Sequence, residues 1–194
     1  LKNRAVQQTA LSLFTHEALI GTEPLTLMQQ ACTRVAQTLG AEYCKVLELD
    51  PGGDHLLLRA GTGWREGLVG TARVGTEKES QAGYTLLSDE PVVVRDLNTE
   101  TRFSGPDLLR EHRVRSGISV IIAGAGRPFG VFGTHSTQVR NFSRDEVTFV
   151  QAIANVLAQY IIKQKTEARL QKSEEQLRSL IEATPDIVCF KDPA

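Results

Sequence analysis

The apolar positions along the chain change period several times, and each change marks an element. Between residues 3 and 20, Val6, Ala10, Leu13 and Phe14 recur at helical spacing until Gly21 stops the run. This predicts an amphipathic helix with those four residues turned inward. Pro24 suits the first turn of a second helix, where the amide it lacks has no helical partner to lose. Leu25, Met28, Cys32, Val35 and Leu39 then form a stripe at helical steps, with Gly40 placed as a C-terminal cap. Next the period shortens. AEYCKVLELD and HLLLRAG are β-type runs joined by Pro51, Gly52, Gly53 and Asp54, which read as a hairpin turn. Glycines at 61, 63, 67, 70 and 75 interrupt the following stretch around Trp64, which is therefore expected to be loop.

Ser80 is placed to cap a short helix over 81–87 that carries Tyr84 and Leu87. PVVVRD (91–96) reads as a strand whose proline is confined to the first position, and 98–105 as a polar loop holding Phe103. Ser104 and Pro106 open a second short helix that runs to His112. VRSGISVII (114–122) is a strand with Val114, Ser116, Ile118, Val120 and Ile122 on one side, and Gly124 to Gly126 turn it into RPFGVFGTHS (127–136). Ser143 and Glu146 then fit a capping box, opening one helix of roughly forty residues, or ~60 Å. Its first half has a broad apolar face, which includes Val147, Val150, Ile153, Leu157, Tyr160 and Ile161. From Lys163 it turns strongly charged, with only Leu170, Leu177 and Leu180/Ile181 left on one side. A helix that packs on a core and then leaves it is a connector. The strands joined by tight turns imply an α+β fold. Its antiparallel sheet has about five to six strands, with N- and C-terminal helices packed on one face and a long protruding C-terminal helix.

Composition narrows the function classes. The 194 residues carry a net charge of −1 with no block of lysine or arginine, so the electrostatic footprint of a nucleic-acid binder is missing. No apolar run approaches the ~20 residues of a membrane span, and no signal peptide is expected. The three cysteines, Cys32, Cys44 and Cys189, are dispersed without a CxxC, which suits a reducing, cytoplasmic setting and argues against a disulfide framework or zinc. The four histidines have no ligand spacing, and no catalytic constellation emerges, so no metal site and no enzyme activity are expected. The chain begins at Leu1 and stops just after a new apolar segment opens, so it is expected to be a piece of something longer.

The blocks LLLRAGTGWREGLVG, SQAGYTLLSDEPVVVRDL, TRFSGPDLLREHRVRSGISV, GRPFGVFGTHS and FSRDEVTFVQAIANVLA occur in an order that resembles a GAF domain, a small-molecule sensor module of bacterial signalling proteins. EEQLRSLIEATPDIVCFKD resembles the opening of a PAS domain, with a first strand at 187–191. The resemblance divides the chain into an N-terminal signalling or dimerisation helix (1–21), a GAF domain (22–162), a helical linker (163–183) and a truncated PAS start (184–194). It implies a parent like a sensor histidine kinase of a two-component system, or a diguanylate cyclase, whose effector lies outside these residues. It also implies a ligand pocket between the sheet and the short helices, with Trp64, Tyr84, Phe103, Leu109, His112, Val114 and Ser116 as candidate lining. Leu157, Ile161, Leu170, Leu177 and Ile181 are the candidates for a linker and parallel homodimer seam.

The ligand, and any cofactor, is left unspecified. Bilin-binding relatives attach their chromophore through a cysteine in the region matching 101–113, and this chain has no cysteine between 45 and 188. The asparagine–lysine–phenylalanine–aspartate–glutamate pattern of cyclic-nucleotide binders is echoed only at Asn141, Phe142, Asp145 and Glu146, without the lysine. The alternatives are a purely structural dimerisation module whose pocket is filled by its own side chains, and a GAF-fold methionine sulfoxide reductase. The second needs reactive thiols at a pocket, whereas Cys32 and Cys44 sit on apolar stripes and read as core.

Overall fold

The computed structural model describes residues 2–183. Two helices, α1 (Lys2–Leu19) and α2 (Pro24–Leu39), precede β1 (Tyr43–Leu49), β2 (His55–Thr62) and β3 (Arg73–Gly75). The short α3 (Gln81–Leu86), β4 (Val92–Val94) and α4 (Asp107–Glu111) follow, and then β5 (Ser116–Ile122), β6 (Gly130–Ser136) and α5 (Arg144–Ala183). The six strands form one sheet in the order β3-β2-β1-β6-β5-β4, antiparallel at every pairing. The β1–β2 turn closes as its composition predicts. Gly53 takes φ +87°, and the Asp50 carboxylate accepts the amides of Gly53 (2.7 Å) and Asp54 (3.0 Å).

Both faces of the sheet are covered. Cys44 and Val46 of β1, Ile118, Val120 and Ile122 of β5 and Phe132 of β6 pack against α1, α2 and the first half of α5. Strand alternation sends their neighbours to the other face. There Leu47 and Val131 pack with Leu56, Leu58, Val74, Ala82 of α3 and Leu108 of α4. A third, smaller cluster joins Val92, Val94 and Phe103, with Tyr84 and Leu97 against it.

Helix ends follow local chemistry. Glu23 caps α2 by accepting the Thr26 amide at 2.9 Å, with Pro24 in the first turn, and Gly40 ends the helix in the left-handed region (φ 60°, ψ 40°). At α5 the capping box is complete: Glu146 accepts the Ser143 amide (2.7 Å) and Ser143 Oγ accepts the Glu146 amide (3.2 Å). α5 then runs for 40 residues as one helix.

Three sequence expectations are corrected. In α1, Val6 (55% exposed) and Leu13 (51%) face outward, and the buried stripe is Gln7, Ala10 and Phe14. In α2, Leu25 is exposed and Leu27 and Ala31 are buried in its place. The glycine-punctuated stretch holds the edge strand β3, whose Val74 pairs with Leu56. The strand expected at 187–191 and the truncated PAS start lie outside the described residues, as does Cys189.

Candidate functional site

On the face that meets α3 and α4, the middle of the sheet is polar. Alternation puts Tyr43, Lys45 and Leu47 of β1 on that face, with Gly117 and Ser119 of β5 and Val131, Gly133 and His135 of β6. Lys45 is 1% exposed, and no carboxylate among the described residues pairs with it. Its neighbours across the ladder are Gly61 on β2 and Gly133 on β6, so the two positions directly beside it carry no side chains. That leaves room for large groups. A Cβ at Gly61 would meet the Trp64 indole at 2.6 Å, and one at Gly117 would meet His135 Nδ1 at 2.3 Å. A Cβ at Gly133 would lie 3.0 Å from His135 Nε2 and 3.5 Å from Lys45 Cε. The lysine and the histidine therefore converge on one point above Gly133.

The groups around this point differ in how well they are satisfied. Trp64 donates its indole N–H to Cys44 O at 2.8 Å, and the Lys45 ammonium lies 5.7 Å from its ring centre, within cation–π reach. Trp64 also packs against Tyr43 (4.8 Å between centroids) and edge-on against His112 (5.0 Å). His112 is fully engaged. Its Nδ1 pairs with Leu108 O at 2.8 Å and its Nε2 accepts the Arg65 amide at 3.2 Å, a pattern that calls for the neutral Nδ1–H tautomer. His135, 1% exposed, has no partner on either ring nitrogen. Gln81, the first residue of α3 and equally buried, has none on either amide atom. One turn on, Thr85 Oγ1 donates to Gln81 O at 2.7 Å and meets Ser119 Oγ at 2.8 Å, tying α3 to the sheet next to Gly133.

Burial pulls the Lys45 ammonium down to about 7 from its ordinary 10.5, because the charged form loses its hydration. His135 is pushed well below its usual range, first by burial and then by the charge of Lys45. At neutral pH His135 is a neutral ring beside an ammonium close to its titration point. Orphaned polar groups of this kind are rare in native interiors, where a buried polar atom is normally met by protein or by water.

The residues singled out from the sequence fall into separate groups. Trp64 and His112 form the wall beside Lys45. Tyr84 and Phe103 stack together 5.2 Å apart, capped by the Arg102 guanidinium, which salt-bridges Glu100 at 2.7 Å. Glu100 is correspondingly held down to about 2, chiefly by its hydrogen bond to Arg102. Phe103 and Val114 line an open cleft of ≈ 500 Å³ with Arg110, Arg113 and Arg115. Leu109 is fully buried, and its carbonyl accepts the Val114 amide at 3.0 Å. Ser116 follows the register of Ile118 onto the opposite face of the sheet, where its hydroxyl donates to Gln138 O at 2.6 Å. Lys45, His135 and Gln81 were passed over in sequence reading. The signal was the placing of Lys45 between two buried neighbours in a strand that ends up covered on both sides.

Cys32 and Cys44 are free, buried and close together, on the helix-covered face of the sheet rather than in the polar site. Burial first, and then the neighbouring Cys44, raises the Cys32 thiol, opposite to the activation a redox nucleophile needs. Among the described residues no cluster of histidine, cysteine and carboxylate is disposed to hold a metal ion. No helix among them is long and apolar enough to cross a membrane.

A six-stranded antiparallel sheet, with long helices on one face and short helices over a small buried polar cluster on the other, defines the architecture as α+β. The family profile described as "GAF domain" matches residues 23–161, and the chain belongs to that family. Among solved structures, it is similar to the GAF domain from a phosphoenolpyruvate-protein phosphotransferase of Coxiella burnetii, with TM-score 0.77 and 19% identity, over 86% of this chain and 99% of that one. It is also similar to the free methionine-R-sulfoxide reductase of Neisseria meningitidis, solved with its substrate, with TM-score 0.70 and 17% identity, over 81% and 89% of the two chains. A methyl-accepting chemotaxis protein fragment, residues 122 to 287, matches with TM-score 0.66 and 15% identity, over 77% and 95%. At these identities the likeness is one of fold. No curated protein matches the chain.

Proposed function

We propose that this GAF domain is a sensory and regulatory module rather than an enzyme. A small ligand held above Gly133 biases the packing of α5, which relays the state to a downstream PAS and effector domain in a cytoplasmic, homodimeric signalling protein. The observation that carries this reading is the double duty of β5. Ser119 faces the polar site, hydrogen-bonded to Thr85, while its neighbours Ile118 and Val120 belong to the core that includes Ile153 and Leu157 of α5. A ligand that shifts α3 and β5 together therefore acts on the surface on which α5 sits. Such a shift follows only from unequal affinity for the two packings. The required movement is small, because packed helices respond by sliding or rotating about 1–2 Å.

Native mass spectrometry of the purified chain, together with a thermal-shift screen of metabolites of all charge types, tests the reading. A bound small molecule, or a saturable stabilisation by at least one compound, is expected. No bound mass and no shift across the panel would instead favour a structural dimerisation module with a self-filled pocket.

A further inference from the structure

The polar site under α3 and α4 has a specific charge requirement. It offers one ammonium without a counter-ion and a neutral imidazole with both nitrogens open, and α3, which packs over this face, begins with the unpartnered carboxamide of Gln81, all in residues at most 1% exposed. The other groups facing Lys45 do not neutralise it. His135 approaches from β6, Tyr43, Trp64 and His112 flank it from β1, the β2–β3 loop and the end of α4, and Ser119 and Thr85 lie across Gly133 on β5 and α3. Cys44, its neighbour in the chain, turns to the opposite face. None of these is a carboxylate.

We propose that the site binds a small monocarboxylate, with Lys45 as its counter-ion and Gln81 and His135 as hydrogen-bond partners for the rest of the molecule; the proposal rests on the sensor reading above and deepens it. The floor is Gly133. A Cβ at Gly133 would lie 3.0 Å from His135 Nε2 and 3.5 Å from Lys45 Cε, so a carboxylate over this glycine would come within reach of both side chains as they draw back to admit it. A buried charge is stable only when paired, so an anion entering here supplies what the protein leaves out. One ammonium matches one negative charge, whereas a doubly charged phosphate would leave a buried surplus. Gln81 both donates and accepts, which suits a hydroxyl or carbonyl on the ligand, while a ligand ammonium beside Lys45 would be repelled.

The site contains its own reporter. Trp64 is the only tryptophan of the chain, and Lys45 lies over its ring. Acetate, propionate, lactate and pyruvate are titrated against the full chain, with chloride at equal ionic strength as control. Trp64 emission and isothermal titration calorimetry are the readouts, and inorganic phosphate and neutral and cationic metabolites are run alongside. At least one carboxylate is expected to give a saturable change that chloride and phosphate do not. Lys45→Met should weaken it at least tenfold while far-ultraviolet circular dichroism stays unchanged. Gln81→Leu, which leaves the charge in place, should weaken the hydroxy and oxo acids more than acetate. Because pairing favours the protonated amine, affinity should fall about tenfold per pH unit above neutrality. Carboxylate binding that survives Lys45→Met overturns the proposal. Binding confined to neutral or cationic compounds, or to phosphate, also overturns it but leaves the sensor reading standing; binding of nothing at all removes both.

Discussion

A lysine at the centre of a covered strand works against folding, and Lys45 is that residue. Between its folded value of about 7 and its ordinary 10.5, the unfolded chain holds a proton that the folded chain has given up. Stability therefore rises with pH across that window and flattens below about 7. His135, depressed by burial, adds a loss of the same sign further down, as pH falls below its usual 6.5 and the unfolded chain takes up another proton. Lys45→Met keeps the length of the side chain and removes the charge. Replacing a buried ionic group by an apolar one of similar volume commonly stabilises, by about 1–4 kcal/mol. The variant should be more stable than the parent at pH 7 by an amount in that range, with the gap closing towards pH 10. Urea unfolding at the two pH values reads both numbers, and a gap that does not change with pH would mean that the lysine is hydrated in the folded state.

Helix ends were the most legible elements in the sequence, since their determinants lie within a few residues of one another. The Ser143–Glu146 box was readable because both partners sit in one turn, and its geometry is as expected. What it also does was not readable. Glu146 accepts from Arg140 at 3.0 Å, and Arg140 donates to Leu39 O at the end of α2 at 3.1 Å, across 101 residues of chain. Ser143→Ala should therefore lower stability by about 1 kcal/mol, the usual cost of a lost cap. Glu146→Ala should lower it by more, because it also leaves the half-buried Arg140 without its carboxylate. Thermal unfolding of the two variants gives the order, and equal losses would show that the Arg140 link is inert.

The faces of elements were harder to read than their ends. In α1 apolar residues occupy two sides, so Val6 and Leu13 competed with the stripe that includes Gln7, and only the neighbouring helices decide between them. β3 escaped notice because three residues of edge strand carry almost no period of their own. The candidate site was legible in part. Trp64 and His112 were found through their types and their loops. Lys45 and His135 were hidden because alternation alone assigns polar strand positions to solvent, and only the packing of α3 and α4 over that face turns them into interior groups.

At the scale of the molecule, the sheet separates a polar site from a helical layer, and α5 belongs to both the layer and what lies beyond it. Ile153 and Leu157 are fully buried, whereas Leu170 and Leu177, further along the same helix, are 60% and 59% exposed. Ile161 is buried with the first group and Ile181 is 46% exposed with the second. A polar helix draws little stability from its own backbone, so in water the rod gains from a partner along its one apolar line. The proposed parallel homodimer gives it that partner, with Leu170, Leu177 and Ile181 as the outer seam. Light scattering after size exclusion should then give twice the chain mass at micromolar concentration. Replacing both Leu170 and Leu177 by lysine should return it to a monomer. Neither residue touches the core, so thermal unfolding of the GAF body should move by less than a degree or two, as expected for surface changes within about 0.5 kcal/mol. A dimer that persists in the double variant would shift the interface to the other exposed apolar line, Val6 and Leu13 on α1. Signal would then leave the domain through the first helix and not the last.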